Sequence, residues 1–80
     1  MVFMKPIQER LAATIRARRK EIGISQEAMA AAAGVHRTYA SSIERAQVTI
    51  SIDVAERVAT ALELTLSELF SMMEKPKRGS

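Results

Sequence analysis

Apolar residues recur along this chain at the spacing of amphipathic helices, and the pattern predicts an all-α fold of five helices. The first helix is expected over about residues 6–21, with Pro6 in its first turn. One stripe of this helix is expected to face the core: Ile7, Leu11 and Ile15. The fourth helix is expected over residues 52–62, capped by Ser51, and a second stripe faces inward there: Ala55, Val58, Ala59 and Leu62.

The central stretch from Gln26 to Ile43 predicts two helices joined by a tight turn. Strong helix formers fill residues 27–33 and run into Gly34, which ends a helix in the left-handed conformation without steric penalty. A third helix is expected over about residues 36–45. Because most of the second helix is alanine, the third can cross it closely, and the two would share an apolar seam: Met29, Ala33, Val35, Ala40 and Ile43.

A helix pair with a short glycine-containing turn is the arrangement of the DNA-binding helix-turn-helix motif. An alanine-rich helical hairpin can also be only a packing unit. The outer face of the third helix favours DNA binding, because no acidic residue interrupts it before Glu44. Its side chains can hydrogen-bond to bases or phosphates: Arg37, Thr38, Ser41 and Ser42.

The run Thr-Leu-Ser-Glu at residues 65–68 is a capping box and predicts a fifth helix that ends near residue 73. Apolar side chains crowd this short helix, and one face cannot bury all of them against so small a core. The surplus predicts a homodimer interface formed by Leu64, Leu66, Leu69, Phe70 and Met73. Residues 1–74 are therefore expected to form one binding and dimerisation domain, followed by a flexible basic tail over residues 75–80.

The amino-acid composition limits the classes of function that are expected for this chain. The 80 residues include no cysteine and one histidine, so a thiolate metal site or a Ser/His/Asp triad is not expected, and we predict no enzyme activity, metal or cofactor. No segment resembles a transmembrane helix or signal peptide, and a cytoplasmic, nucleoid-associated location in a bacterium or phage fits.

The charged side chains are distributed unevenly along the chain. Residues 5–45 carry eight basic and four acidic side chains, whereas residues 46–73 carry one basic and four acidic side chains. This charge distribution suits a protein that docks one face on phosphate.

Several short motifs together resemble the Cro/phage-repressor type of helix-turn-helix domain. They are Ser25-Gln26-Glu27, Gly34-Val35, Arg37-Thr38-Tyr39 and Ile43-Glu44-Arg45, and the resemblance covers roughly residues 7–70. It implies a five-helix bundle of the lambda-repressor-like type with a central helix-turn-helix. Within this superfamily the chain looks most like the controller proteins of restriction-modification systems.

The resemblance implies a transcription regulator that binds a palindromic double-stranded operator as a homodimer, without a small-molecule effector. It also implies a structural ion pair between Arg19 and Glu44. Combined with the residue pattern, it gives these candidate DNA contacts: Ser25, Gln26, His36, Arg37, Thr38, Tyr39, Ser41, Ser42, Arg45, Gln47 and Thr49. The alternatives are an antitoxin or prophage repressor of the same fold, and a protein-interaction module that does not read DNA.

The helix ends give three further local expectations. Ser25 and, more weakly, His36 are expected to cap the second and third helices. The basic residues near the end of the first helix are either phosphate contacts or solvated charges: Arg16, Arg18 and Lys20. Glu63 stands where the family usually has glycine, and a left-handed glutamate costs about 1 kcal/mol. The turn after the fourth helix is therefore expected to be built differently.

Overall fold

A computed structural model of the protein describes residues 6–74, and these residues fold into a bundle of α-helices. The five helices of this part are α1 (Ile7–Ile22), α2 (Gln26–Ala33), α3 (Arg37–Glu44), α4 (Ile52–Ala61) and α5 (Leu66–Glu74). The predicted all-α fold is confirmed, and the helix ends lie within a residue or two of their expected positions. None of the five is long and apolar enough to span a membrane. The predicted basic tail lies outside the described residues.

Side-chain caps start three of the helices where the sequence predicts them. The hydroxyl of Ser25 accepts a hydrogen bond from the backbone N–H of Ala28 at 2.9 Å, and the hydroxyl of Ser51 accepts one from Val54 at 3.1 Å. At the start of α5, the Thr65 hydroxyl accepts from the Glu68 N–H at 3.0 Å, and the Glu68 carboxylate accepts from the Thr65 N–H at 2.9 Å. These local bonds satisfy helix N–H groups that have no partner within the helix.

The core lies where α2 packs against α3 and α4, and where α1 and α5 close the other side. Its largest fully buried side chains come from four helices and from the residue that follows α4: Ile15, Met29, Val58, Leu62 and Leu69. The predicted seam between α2 and α3 is confirmed. Four of its members are buried, and the fifth, Val35, is half-buried at the edge of the core.

The predicted stripe of α1 is correct at two positions and wrong at the first. Ile15 is buried and Leu11 packs against the core, but Ile7 is 55% exposed. Ile7 lines an open cavity of about 180 Å³, which the first two turns of α1 form with the α3–α4 loop, α4 and α5. Ile52, which is 68% exposed, lines the same cavity together with Phe70. We call this cavity the apolar groove, and none of its lining residues is charged.

Helix α5 divides its apolar residues differently from the sequence prediction. Leu69 and Met73, both expected in a dimer interface, are instead buried in the core of the protomer. Leu64, Leu66 and Phe70 are half-buried and pack against the core. The described domain therefore buries two of the five predicted interface residues fully and three in part, and the exposed large apolar side chains, Ile7 and Ile52, lie at the apolar groove.

The turn between α4 and α5 contains a left-handed glutamate, contrary to our expectation. Glu63 has φ = 65°, and its N–H donates to the carbonyl of Thr60 at 2.9 Å. The next N–H, that of Leu64, donates to Ala59 at 2.9 Å. These bonds close the C-terminus of the helix as a left-handed residue normally does. The turn therefore keeps the usual geometry with a residue that disfavours it.

Substitution Glu63→Gly is expected to raise the free energy of unfolding by about 0.5 to 1 kcal/mol. It removes a left-handed strain of about 1 to 2 kcal/mol and is partly offset by the greater freedom of glycine in the unfolded chain. Urea unfolding followed by circular dichroism measures the difference. The matched control, Glu63→Ala, keeps the strain and should stay within about 0.5 kcal/mol of the parent. A glycine variant less stable than the alanine variant would contradict this account.

Candidate nucleic-acid interface

Helix α2 begins at the protein surface with a side-chain cap. Ser25 caps the helix through the N–H of Ala28, and Gln26 is its first residue. The N-terminus of a helix carries a partial positive charge that attracts phosphate. The cap therefore places Gln26 where a phosphate backbone could approach.

A tight turn sets the direction of α3 relative to α2. Gly34 has φ = 73°, its N–H donates to the Ala31 carbonyl at 3.2 Å, and the N–H of Val35 donates to Ala30 at 3.0 Å. This pair of bonds is the usual glycine closure of a helix. The imidazole Nδ1 of His36 then accepts from the N–H of Thr38 at 3.0 Å, so His36 caps α3 as predicted.

The outward face of α3 and the start of α2 form one polar cleft of about 210 Å³. Five side chains line it: Gln26, Arg37, Thr38, Ser41 and Arg45. They comprise two guanidinium groups, two hydroxyls and an amide, and no carboxylate. This set can donate to phosphate oxygens or to the acceptor atoms of guanine and adenine in the major groove. Sequence reasoning proposed all five as DNA contacts, and the fold brings them together.

A buried ion pair lies beneath this cleft. Glu44 is only 3% exposed, and its carboxylate accepts from Arg19 through Nε at 2.6 Å and Nη2 at 3.0 Å. Gln26 adds a third hydrogen bond to the same carboxylate, from its amide nitrogen at 3.2 Å. The hydrogen bonds from Arg19 to Glu44 raise the pKa of Arg19, against the opposing effect of burial. The pair joins α1 to α3 and holds Gln26 in place on α2.

Two other basic residues of α1 form hydrogen bonds within the domain. Arg16 donates from Nη1 to the carbonyl of Glu44 at 2.8 Å, and Arg18 donates from Nε to the carbonyl of Leu62 at 3.0 Å. Carbonyls at the end of a helix have no partner within it, so each arginine supplies one. The sequence allows phosphate contact or a solvated charge for these residues. The structure shows another function for the two arginines, because they hold the ends of α3 and α4. Lys20 remains an exposed charge.

The other predicted DNA contacts are not among the residues that line the cleft. Tyr39 and Ser42 are half-buried, and Tyr39 packs against the core as expected. Gln47 follows α3 and accepts hydrogen bonds from Arg45. Thr49 lies away from the cleft: its hydroxyl accepts from the amide of Gln8 at 3.1 Å, and it lines the apolar groove.

Residues 15–69 match the helix-turn-helix family HTH_3, a span that includes α2, the turn and α3. The chain belongs to this family. Its relatives include the control protein C.MunI of a Mycoplasma species, which is 43% identical over 58 residues that cover 72% of this chain and 78% of the relative. The expected likeness to controller proteins is therefore confirmed.

Solved structures of helix-turn-helix controller proteins share the fold. The restriction-modification controller protein C.AhdI from Aeromonas hydrophila superimposes with a TM-score of 0.75 at 33% identity, over 79% of this chain and 96% of that chain. The wild-type controller protein C.Esp1396I superimposes with a TM-score of 0.81 at 27% identity, over 92% of this chain and all (100%) of that chain. Helix α3 therefore holds the position of the recognition helix in a helix-turn-helix domain.

Sequence reasoning missed one residue that supports the helix-turn-helix. Arg57 of α4 donates from Nη1 to the carbonyl of Ala33 at 3.2 Å, at the end of α2, and its Nε lies 3.4 Å from a carboxylate oxygen of Asp53. The i,i+4 spacing of Asp53 and Arg57 was visible in the sequence. The contact with Ala33 was not visible, because it depends on how α4 crosses α2.

Proposed function

We propose that this protein is a controller protein of a restriction-modification system, a transcription regulator that binds a specific DNA operator. The cleft on α3 is the observation that carries the proposal, because it joins two guanidinium groups to neutral hydrogen-bonding groups with no carboxylate among them. Membership of the helix-turn-helix family and likeness to named control proteins support it. The action is binding alone, so we expect no catalysis, cofactor or small-molecule effector, and a cytoplasmic location on the nucleoid.

We propose that the operator is palindromic and that two copies of the chain bind it. The apolar groove supports a second copy as its occupant, since its exposed rim residues Ile7 and Ile52 are apolar and its lining carries no charge. Depletion of charge at the centre is typical of protein interfaces. To bind both half-sites on one face of the duplex, the dimer must hold its two recognition helices about 34 Å apart, one turn of the duplex. Residues 1–74 would then act as a single binding and dimerisation domain.

Selection of bound sites from a random DNA library tests the proposal directly. We expect a palindromic consensus whose half-sites are about 10 base pairs apart, centre to centre. Retention of DNA without any preferred sequence would contradict it and would favour a protein-interaction module. The genes beside the recovered genomic site then separate a restriction-modification controller from an antitoxin or a prophage repressor of the same fold.

Substitution Arg37→Ala is expected to weaken binding to the selected operator by about 1 to 3 kcal/mol and to remove discrimination at one base position. Arg37 is exposed in the first turn of α3 and lines the cleft, so its loss should leave the fold intact. Fluorescence anisotropy on the operator and its single-base variants measures both effects. The control, Lys20→Ala, removes one exposed positive charge outside the cleft and should change affinity equally for all sequences. An unchanged base preference in Arg37→Ala would contradict the assignment.

A further inference from the structure

We propose that Arg45 reads a guanine in the operator, and that Ser41 and Gln47 are positioning residues that hold its guanidinium for this contact. The inference rests on the proposed DNA-binding function and adds a specificity device to it. Ser41 and Gln47 both contact Arg45. From the sequence alone, each of the two is a candidate for direct contact with DNA.

Three hydrogen bonds fix the guanidinium of Arg45. The side-chain oxygen of Gln47 accepts from Nε at 3.2 Å and from Nη2 at 3.1 Å, so it covers one edge of the group. The hydroxyl of Ser41, one helical turn earlier, accepts from Nη1. Long exposed arginine side chains normally sample many rotamers, and ordering one on binding reduces affinity. The two acceptors order this side chain before DNA arrives.

The backbone after α3 brings Gln47 back to Arg45. Ala46 has φ = 57°, a left-handed conformation in which the chain reverses direction. The N–H of Ala46 donates to the carbonyl of Ile43 at 3.0 Å, and the N–H of Gln47 donates to that of Ser42 at 2.9 Å. The turn is therefore bonded to the last turn of the recognition helix, and the position of Gln47 follows that of α3.

The donors left on Arg45 suit a bidentate contact. A guanidinium has five N–H groups. Three of them donate to Ser41 and Gln47, which leaves one on Nη1 and one on Nη2 without an acceptor among the described residues. Paired Nη donors match O6 and N7 of guanine, the commonest specific contact in the major groove. Arg45 also lines the cleft on the same face as Arg37, eight residues or about 12 Å away along the helix, so the two reach different base pairs.

The first experiment compares the parent with Arg45→Ala on the site selected from the library. We expect the variant to bind that site about 5- to 150-fold more weakly and to lose the preference for guanine at one position of each half-site. Replacement of that guanine by 7-deazaguanine, which lacks the N7 acceptor, should weaken the parent and leave the variant almost unchanged. Arg45 is exposed, so the thermal unfolding of the variant should match the parent.

Two substitutions of Gln47 separate positioning from direct contact. Gln47→Lys supplies a cation for phosphate but no acceptor for Arg45, so the preference for guanine should fall while affinity for random DNA rises. Gln47→Glu keeps an acceptor, so the preference should remain while affinity for all DNA falls. If Gln47 instead contacts phosphate directly, the lysine variant will keep the parental preference, and the inference is overturned.

The outcomes also separate this inference from the proposed function. A parent protein that selects no sequence from the library refutes the proposed function. If the parent selects a site and Arg45→Ala keeps every base preference at that site, only the reading of guanine by Arg45 is refuted. A uniform loss of affinity across all sequences in that variant shows a phosphate contact, and it overturns the inference as well.

Discussion

Substitution Glu44→Ala is expected to lower the free energy of unfolding by about 3 to 5 kcal/mol, the largest stability effect that we predict. It removes a carboxylate that is 3% exposed and leaves Arg19, whose side chain is 13% exposed, without its charged partner. The amide of Gln26 loses its acceptor as well. An uncompensated buried charge accounts for most of the effect. Urea unfolding followed by circular dichroism measures it.

Two controls define what the Glu44 result means. Glu56→Ala removes an exposed carboxylate of the same size from the middle of α4 and should change stability by less than about 0.5 kcal/mol. The double variant Arg19→Met, Glu44→Leu removes both charges and should be more stable than Glu44→Ala, because no charge remains buried. A change below about 1 kcal/mol in Glu44→Ala would show that the pair behaves as an exposed one.

Titration of Arg19 in the ion pair should not make the free energy of unfolding depend on pH near neutrality. Glu44 raises the pKa of Arg19 above the value in the unfolded chain. A raised pKa in the folded state contributes stability that is complete below the unfolded pKa and is lost only as pH rises through the folded pKa. Both values for an arginine lie far above neutrality. The destabilisation by Glu44→Ala should therefore be the same at about pH 7 and about pH 9, which repeated urea unfolding at both pH values will test.

Substitution Ile52→Glu is expected to yield a folded monomer that has lost most specific DNA binding, by about 100-fold or more. Ile52 is 68% exposed, so the change should not disturb the core, but it would place two carboxylates close together across a two-fold interface. One recognition helix contacts too few base pairs to distinguish an operator from the competing sites of a genome. Weak attraction to phosphate should remain, since the cleft is unchanged.

Sedimentation of the parent and the variant at micromolar concentration measures the association, and fluorescence anisotropy measures the binding. Thr60→Glu adds the same charge at an exposed position of α4 outside the groove, so it should leave both the dimer and operator binding intact. Met73→Glu is unsuitable for this purpose, because Met73 is buried and a carboxylate at that position would disturb the core. A monomeric parent that binds the selected operator with full specificity would contradict the proposed dimer.

Local chemistry made much of this fold predictable from the sequence. Helix caps depend on residues three positions apart, so the caps by Ser25, Ser51 and the Thr65–Glu68 pair were all predicted correctly. Helix periodicity predicted the seam between α2 and α3. The pair of Arg19 and Glu44 joins residues 25 positions apart, and only the resemblance to a known family indicated it. The side chains that line the cleft were predicted because one helix carries most of them.

The tertiary structure decided the features that depend on how helices cross. A sequence shows that Arg16, Arg18 and Arg57 are cations, but their carbonyl partners lie 28, 44 and 24 residues away, on elements whose positions the packing sets. Periodicity likewise identifies an apolar face without identifying what covers it. The bundle buries Leu69 and Met73 and leaves Ile7 and Ile52 at the surface. The sequence by itself determined the helices, their caps and the polar outward face of α3, because those depend on neighbours along the chain. The packing of the helices decided which apolar and basic side chains make contacts within the protomer, because burial depends on neighbours in space.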